Sequence, residues 1–273
     1  MAQQTPIARV EPAWTAWMQR WPSPQALAQA PTSDLLRMWG RLGYPRRALR
    51  LQECAISIVN LHGGQVPSTY DALVALPGIG DYTAAAVLSF AYGQRATVVD
   101  TNVRRVLGRI LTGDALPQPS LTAGEKALAA RLVPPEPAPA ARWAVASMEL
   151  GALVCSARKP ACLADALGDG GCPVADLCAW RAAGYPPDQQ AHRRRGQAWQ
   201  GTDRQVRGQI MAILRHAEHA VFGHDISRQL SGCQPGQLQR CLSSLIEDGL
   251  IEQVTEHRGP GEDAGQLGYQ LPA

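Results

Sequence analysis

Apolar positions recur at three- and four-residue spacing over segments near 11–19, 33–43, 46–61, 69–75, 81–92, 101–111, 122–131 and 141–152, with Pro, Gly or Ser/Thr between them. That period predicts a succession of amphipathic helices. Pro22-Ser23-Pro24 and Pro31-Thr32-Ser33 precede new helices, and Ser33 is the predicted N-cap for the turn that starts at Asp34. No alternating strand pattern occurs before residue 200. The stretch VPPEPAPA, 133–140, reads as a proline-rich connector that cannot be helical. Residues 202–273 differ in pattern. Arg204–Arg215, Asp225–Leu230 and Gln237–Asp248 predict three helices, and Leu250–Val254 and Gly268–Leu271 predict two short strands around the loop His257–Gln266. This is the order of a winged helix, with a generic α/β cap as the competing reading.

Hydrophobic residues make up 45% of the 273 residues and charged residues 18%, which places the chain among ordinary globular proteins of two or three domains. No apolar run reaches the roughly 18 residues needed to cross a membrane. With no charged, apolar leader at its start, the chain is expected to be cytoplasmic, with no membrane partner. The net charge of +3 says little by itself. Its clustering at Arg46, Arg47 and Arg50 and at Arg193, Arg194 and Arg195 points to a polyanionic partner. Seven cysteines, an odd number without a secretion signal, argue against a disulfide framework. Cys155, Cys162, Cys172 and Cys178 crowd into one short stretch, as metal or cluster ligands do. Cys54, Cys233 and Cys241 stand alone on helical segments and read as small buried hydrophobes.

The most specific chemistry lies at 76–105, LPGIGDYTAAAVLSFAYGQRATVVDTNVRR. The turn Leu76-Pro77-Gly78-Ile79-Gly80 opens an alanine-rich helix whose unpaired backbone N–H groups and dipole favour an anion such as a DNA phosphate. Glycines there let the backbone approach a phosphate that a Cβ would hold off. Asp100, alone in an apolar run, reads either as a reactive carboxylate held near nucleic acid or as the cap of a helix starting near Thr101. Both roles are compatible.

Taken together, Gln3-Gln4-Thr5, Gly43-Tyr44, Leu76–Thr83, Val99–Val106 and Met148-Glu149-Leu150-Gly151-Ala152 resemble the helix-hairpin-helix DNA glycosylases that carry an iron–sulfur cluster, and most closely the adenine glycosylases of the MutY family. The resemblance covers about residues 1–185. It implies a mainly α fold of two helical domains, one of them an iron–sulfur domain, with the small winged-helix-like module appended. The expected boundaries are 1–94 for an incomplete six-helix-barrel helix-hairpin-helix domain, 95–185 for the cluster domain, 186–201 for a basic linker and 202–273 for the module. Asp100 is then the carboxylate that stabilises or traps an oxocarbenium-like sugar, with Tyr82 and Asn102 beside it in the catalytic set. Relatives that also cleave the strand carry a lysine at the position of Tyr82, whose amine forms a Schiff base. A phenol cannot, so the resemblance implies base removal alone. Gln3 and Gln4 resemble residues that enter the duplex beside the flipped base, and Tyr44 the wedge beside the opposite base. Arg46, Arg47, Leu76, Gly78 and Gly80 complete the implied DNA contacts. The expected partner is double-stranded DNA with a mismatched adenine, bound by a monomer.

The cysteine spacing is x6, x9, x5, where the family has x6, x2, x5. The resemblance implies a [4Fe-4S] cluster on Cys155, Cys162, Cys172 and Cys178. Zinc is the alternative, although these gaps are not zinc-ribbon pairs. Lengthening the middle loop from about three to about ten residues costs only ~1 kcal/mol, so the insert Leu163–Gly171 can loop out with all four ligands kept.

Two departures from the family pattern stand out. Its catalytic glutamate, which protonates the leaving adenine, precedes the methionine matched by Met1, so it falls upstream of this chain. Either the coding start has been placed too far downstream or the chain is a truncated form, and as given it is expected to be nearly inactive. In addition, residues 202–273 do not match the hydrolase-like C-terminal domain that reads 8-oxoguanine in many members. The implied function is removal of adenine opposite guanine or 8-oxoguanine. The alternatives are a thymine–guanine mismatch glycosylase and a non-catalytic mismatch-binding protein.

Overall fold

The computed structural model describes all residues except 4, 165–170, 194–198, 231, 235 and 257–265. The chain packs as two compact units, Met1–Pro67 with Leu76–Gly78 and Gln197–Ala273, and Ser68–Ala75 with Ile79–Gly196. The first unit begins with α1 (Ile7–Arg20), α2 (Pro24–Ala28), α3 (Thr32–Trp39) and α4 (Arg46–His62). The second holds α5 (Tyr70–Val74), α6 (Asp81–Phe90), α7 (Thr101–Leu107), α8 (Ala123–Leu132), α9 (Pro137–Glu149), α10 (Ala161–Ala164) and α11 (Ala179–Ala182). Back in the first unit follow α12 (Asp203–His216), β1 (Val221–Phe222), α13 (Gly223–Gln229), α14 (Gln237–Glu247), β2 (Glu252–Glu256) and β3 (Gln266–Gln270).

Two local expectations need correction. Helix α3 starts at Thr32 with Pro31 at the N-cap, so Ser33 sits inside the first turn rather than capping it. Helix α9 starts at Pro137, inside the stretch predicted to be non-helical. Proline is tolerated in a first turn because the N–H it lacks has no intrahelical partner there.

The three strands form one antiparallel sheet in the order β1-β3-β2, with Val221 opposite Tyr269 and Gln253 opposite that same Tyr269 on the other side. Strand β1, only two residues long, has no sequence signature of its own. With α12, α13 and α14 the sheet makes a winged-helix arrangement, and most of its predicted loop, 257–265, lies outside the described residues. The segment 202–273 does not keep a core to itself. Val206, Ile210, Met211 and Leu214 of α12 and Leu245 and Leu250 are buried in one cluster with Val10, Trp17, Leu35, Leu36 and Trp39. Cys54 and Cys241 are buried, as read from the sequence, and Cys233 is partly exposed.

Candidate functional site

In the second unit, helix α6 opens at Gly80, whose extended backbone precedes Asp81 in the first turn. A Cβ on Gly80 would meet open space, so packing does not demand glycine there. Gly78, counted with the first unit, has φ +76°, and a Cβ on it would approach the Arg50 side chain to 3.2 Å. Its glycine is required by the turn itself. Leu76 is buried. Asp81 would repel a phosphate at this helix start, but Lys126 Nζ donates to its Oδ2 at 2.7 Å. That bond, reinforced by Tyr70, holds the Asp81 carboxyl below its ordinary value.

In the first turn of the same helix, the Tyr82 hydroxyl lies 3.9 Å from Met148 Sδ. Burial first, and the charge of Asp100 second, push the phenol above its ordinary value, so it stays neutral. Asp100 is the N-cap of α7. Its Oδ1 accepts from the Val103 N–H at 2.7 Å and its Oδ2 accepts from Asn102 Nδ2 at 2.9 Å. The cap reading therefore holds, and the carboxylate is fixed by two donors at once.

The network continues inward. Arg105 Nη2 donates to Asn102 Oδ1 at 2.8 Å and to the Gly151 carbonyl at 2.6 Å, while its Nε donates to the Cys155 carbonyl at 2.7 Å. Burial lowers the pKa of Arg105, with Cys155 and Asp100 opposing and Arg109 adding to the shift. Gly151 is indispensable here, because a Cβ on it would stand 2.7 Å from Asn102 Cβ and 2.9 Å from the Asn102 carbonyl oxygen. Both helices loosen into π-helical turns, Gly108–Thr112 and Leu150–Val154, as they reach this region. The sequence reading counted Arg105 and Gly151 within the resembling segments but gave neither a role. Their signal was the i+3 spacing of Arg105 from Asn102 and a small residue inside an otherwise helical run.

Cys155, Cys162, Cys172 and Cys178 line one cavity, together with Arg109, Trp180 and Arg181. Among the described residues no three His, Cys, Asp or Glu side chains converge on a single-ion site. The thiols instead surround a common space. Arg109, buried, donates Nη1 to Cys155 Sγ at 3.2 Å and stacks over the Trp180 ring at 4.2 Å. A buried guanidinium directed at a cysteine sulfur fits a site of thiolate character. Burial, and then the neighbouring cysteines, push the Cys162 thiol up. The donor set therefore fits an iron–sulfur cluster. Cys162 and Cys172 share the cavity although the insert separates them, and residues 165–170 of that insert lie outside the described residues.

The remaining predicted residues lie in the first unit. Tyr44 has φ +48°, a left-handed backbone rare outside glycine, and its ring is half-exposed. The Arg47 guanidinium stacks over it at 4.3 Å and also donates to the Gln3 carbonyl. Thr5, buried, donates to the Leu42 carbonyl at 3.3 Å, which ties the start of the chain to the Tyr44 turn. Arg46 pairs with Asp248 at 3.2 Å. Gln4 lies outside the described residues.

The family model for the helix-hairpin-helix superfamily of base excision DNA repair proteins matches residues 1–130. The adenine DNA glycosylase of Mycobacterium tuberculosis (strain H37Rv) is 49% identical over 265 residues, covering 96% of this chain and 83% of that protein. That of Mycolicibacterium smegmatis is 46% identical over 268 residues, covering 98% and 87%. The human adenine DNA glycosylase is 43% identical over 183 residues, 66% of this chain and 32% of that one. Among solved structures, a thermostable thymine-DNA glycosylase superposes with TM-score 0.56 at 29% identity, covering 66% of this chain and 80% of its own. A trapped endonuclease III–DNA intermediate, at TM-score 0.57 and 23% identity over 68% and 82%, shares the fold. The chain belongs to the adenine DNA glycosylases of the helix-hairpin-helix base excision repair superfamily.

Proposed function

We propose that this chain removes adenine mispaired with guanine or 8-oxoguanine by hydrolysing the N-glycosidic bond, without cleaving the strand. The observation that carries the reading is the Asp100 carboxylate, held by Asn102 and the Val103 N–H beside the neutral phenol of Tyr82. As the adenine leaves, positive charge develops on the sugar, and a fixed carboxylate stabilises it without reorganising. Tyr82 offers no amine, so no Schiff base forms and the product is an abasic site. Double-stranded DNA is gripped by a monomer through Gln3, Gln4, Tyr44, Arg46, Arg47 and the Leu76–Gly80 turn.

Cys155, Cys162, Cys172 and Cys178 hold a [4Fe-4S] cluster in this reading, supported by the shared cavity and by Arg109 against Cys155 Sγ. Once bound, the cluster cross-links the segment between Cys155 and Cys178 and supplies a redox-active centre. Purified protein is therefore expected to be brown and to contain iron; colourless, iron-free protein sinks this part.

Adenine release is measured under single-turnover conditions on duplexes carrying A opposite 8-oxoguanine, A opposite guanine and T opposite guanine. Release of adenine from the first two, without strand breaks before alkali, supports the reading. Release of thymine alone favours the mismatch alternative, and tight binding with no release favours a non-catalytic protein.

A further inference from the structure

The groove that carries Tyr44 in the first unit is lined by eight arginines and by no aspartate or glutamate among the described residues. Five of the eight, Arg9, Arg41, Arg46, Arg47 and Arg50, come from α1, α4 and the turn before α4, and the other three, Arg204, Arg207 and Arg215, come from α12. Helix α12 is fixed there by its core face, since Val206, Ile210 and Leu214 are buried with Leu35, Leu36 and Trp39. Its first turn then presents Arg204, whose guanidinium lies 4.9 Å from the Trp199 ring centroid and 5.9 Å from that of Tyr44. Trp199 is 51% exposed and Tyr44 50%, unusual for rings of this size. Asp248 pairs with Arg46 and Arg207, which holds those two guanidinium groups without neutralising the groove.

A cationic groove interleaved with exposed aromatic faces is the pattern of a surface that follows a nucleic-acid backbone and stacks its bases. We propose that the C-terminal module completes a DNA channel with the Tyr44 turn, Arg204 binding a phosphate and Trp199 offering a stacking face to a base. This rests on the DNA-glycosylase reading and extends it. It gives the module a direct share of the DNA grip.

The test is equilibrium binding of the full chain to a fluorescent duplex carrying A opposite 8-oxoguanine, across a salt series. The variants are Arg204→Ala, Trp199→Ala and, as a control, Arg228→Ala, which removes a charge from α13 outside the groove. Arg204→Ala should weaken binding about tenfold and lower the slope of log affinity against log salt by about one. Trp199→Ala should weaken it about tenfold with the slope unchanged. Arg228→Ala should bind like the parent chain. Parent-like affinity and slope in both groove variants would overturn the proposal, and so would equal weakening by Arg228→Ala, which would reduce the effect to net charge. A parent chain that binds no duplex at all would instead overturn the glycosylase reading.

Discussion

Asp100 has one observed duty and one proposed, and substitution can separate them. Its Oδ1 caps α7 through the Val103 N–H, and in the proposed reaction its charge stabilises the sugar. Asparagine caps helices nearly as well as aspartate, whereas losing the cap to alanine costs about 1 kcal/mol. Asp100→Asn should therefore melt close to the parent chain while adenine release falls ~10²–10³-fold or more. Asp100→Ala should lose the same activity and also melt lower. Equal melting of the two variants would show that the cap contributes nothing. Gly151 provides the second test at this scale, because its hydrogen leaves room for Asn102. Gly151→Ala forces the two backbones apart and should cost about 1–3 kcal/mol, with slower release because the Asn102 donor to Asp100 shifts. Unchanged melting and release would mean that the close approach relaxes freely. Asp100 and Asn102 were legible from a short motif whose chemistry is local. Arg105 and Gly151 stood in the resembling segments, but their roles were not legible, because each acquires its meaning from a partner about 50 residues away in sequence.

Helix α8 shows how one element is held in the second unit. Thr122 and Glu125 form a capping box, and Arg104 of α7 makes three hydrogen bonds with the Glu125 carboxylate, the closest at 2.8 Å. Burial raises the Glu125 pKa, but the Arg104 and Thr122 hydrogen bonds outweigh it and leave the group below its ordinary value. A depressed carboxylate adds stability that is fully present above the unfolded value, about 4.3 for glutamate, and is lost as the pH falls through the folded value. Glu125→Gln should thus melt lower than the parent at neutral pH, with the gap closing as the pH drops below about 4. A gap that stays constant with pH would mean that the charge is irrelevant. Most helices in both units were legible from apolar spacing alone, since period and caps are local signals. The start of α9 was misread because its prolines were judged by identity rather than by position in the first turn.

Across the whole molecule, the feature least visible in the sequence is the core that joins α1 and α3 to α12, α14 and the strand region, more than 160 residues away. The winged-helix order of the C-terminal segment was readable, because helix and strand periods are local, yet the segment read as a separate module. Apolar spacing tells which face of α12 is buried and not what buries it. The shared cluster decides this: Ile210, fully buried, has Leu35, Leu36 and Trp39 in the same core as Leu242 and Leu245. One core implies one cooperative unit, so a cavity made in α12 should be felt in α3. Ile210→Ala should cost about 2–5 kcal/mol. In native-state hydrogen exchange it should lower the protection of amides in α3 (Thr32–Trp39) and α12 (Asp203–His216) by similar amounts. If α12, α13 and α14 lost protection while α3 kept it, the C-terminal segment would be an autonomous domain that merely touches the first helices. Arg204 and Trp199 would then be held beside Tyr44 by a weak contact, and their share of the DNA grip would fall accordingly.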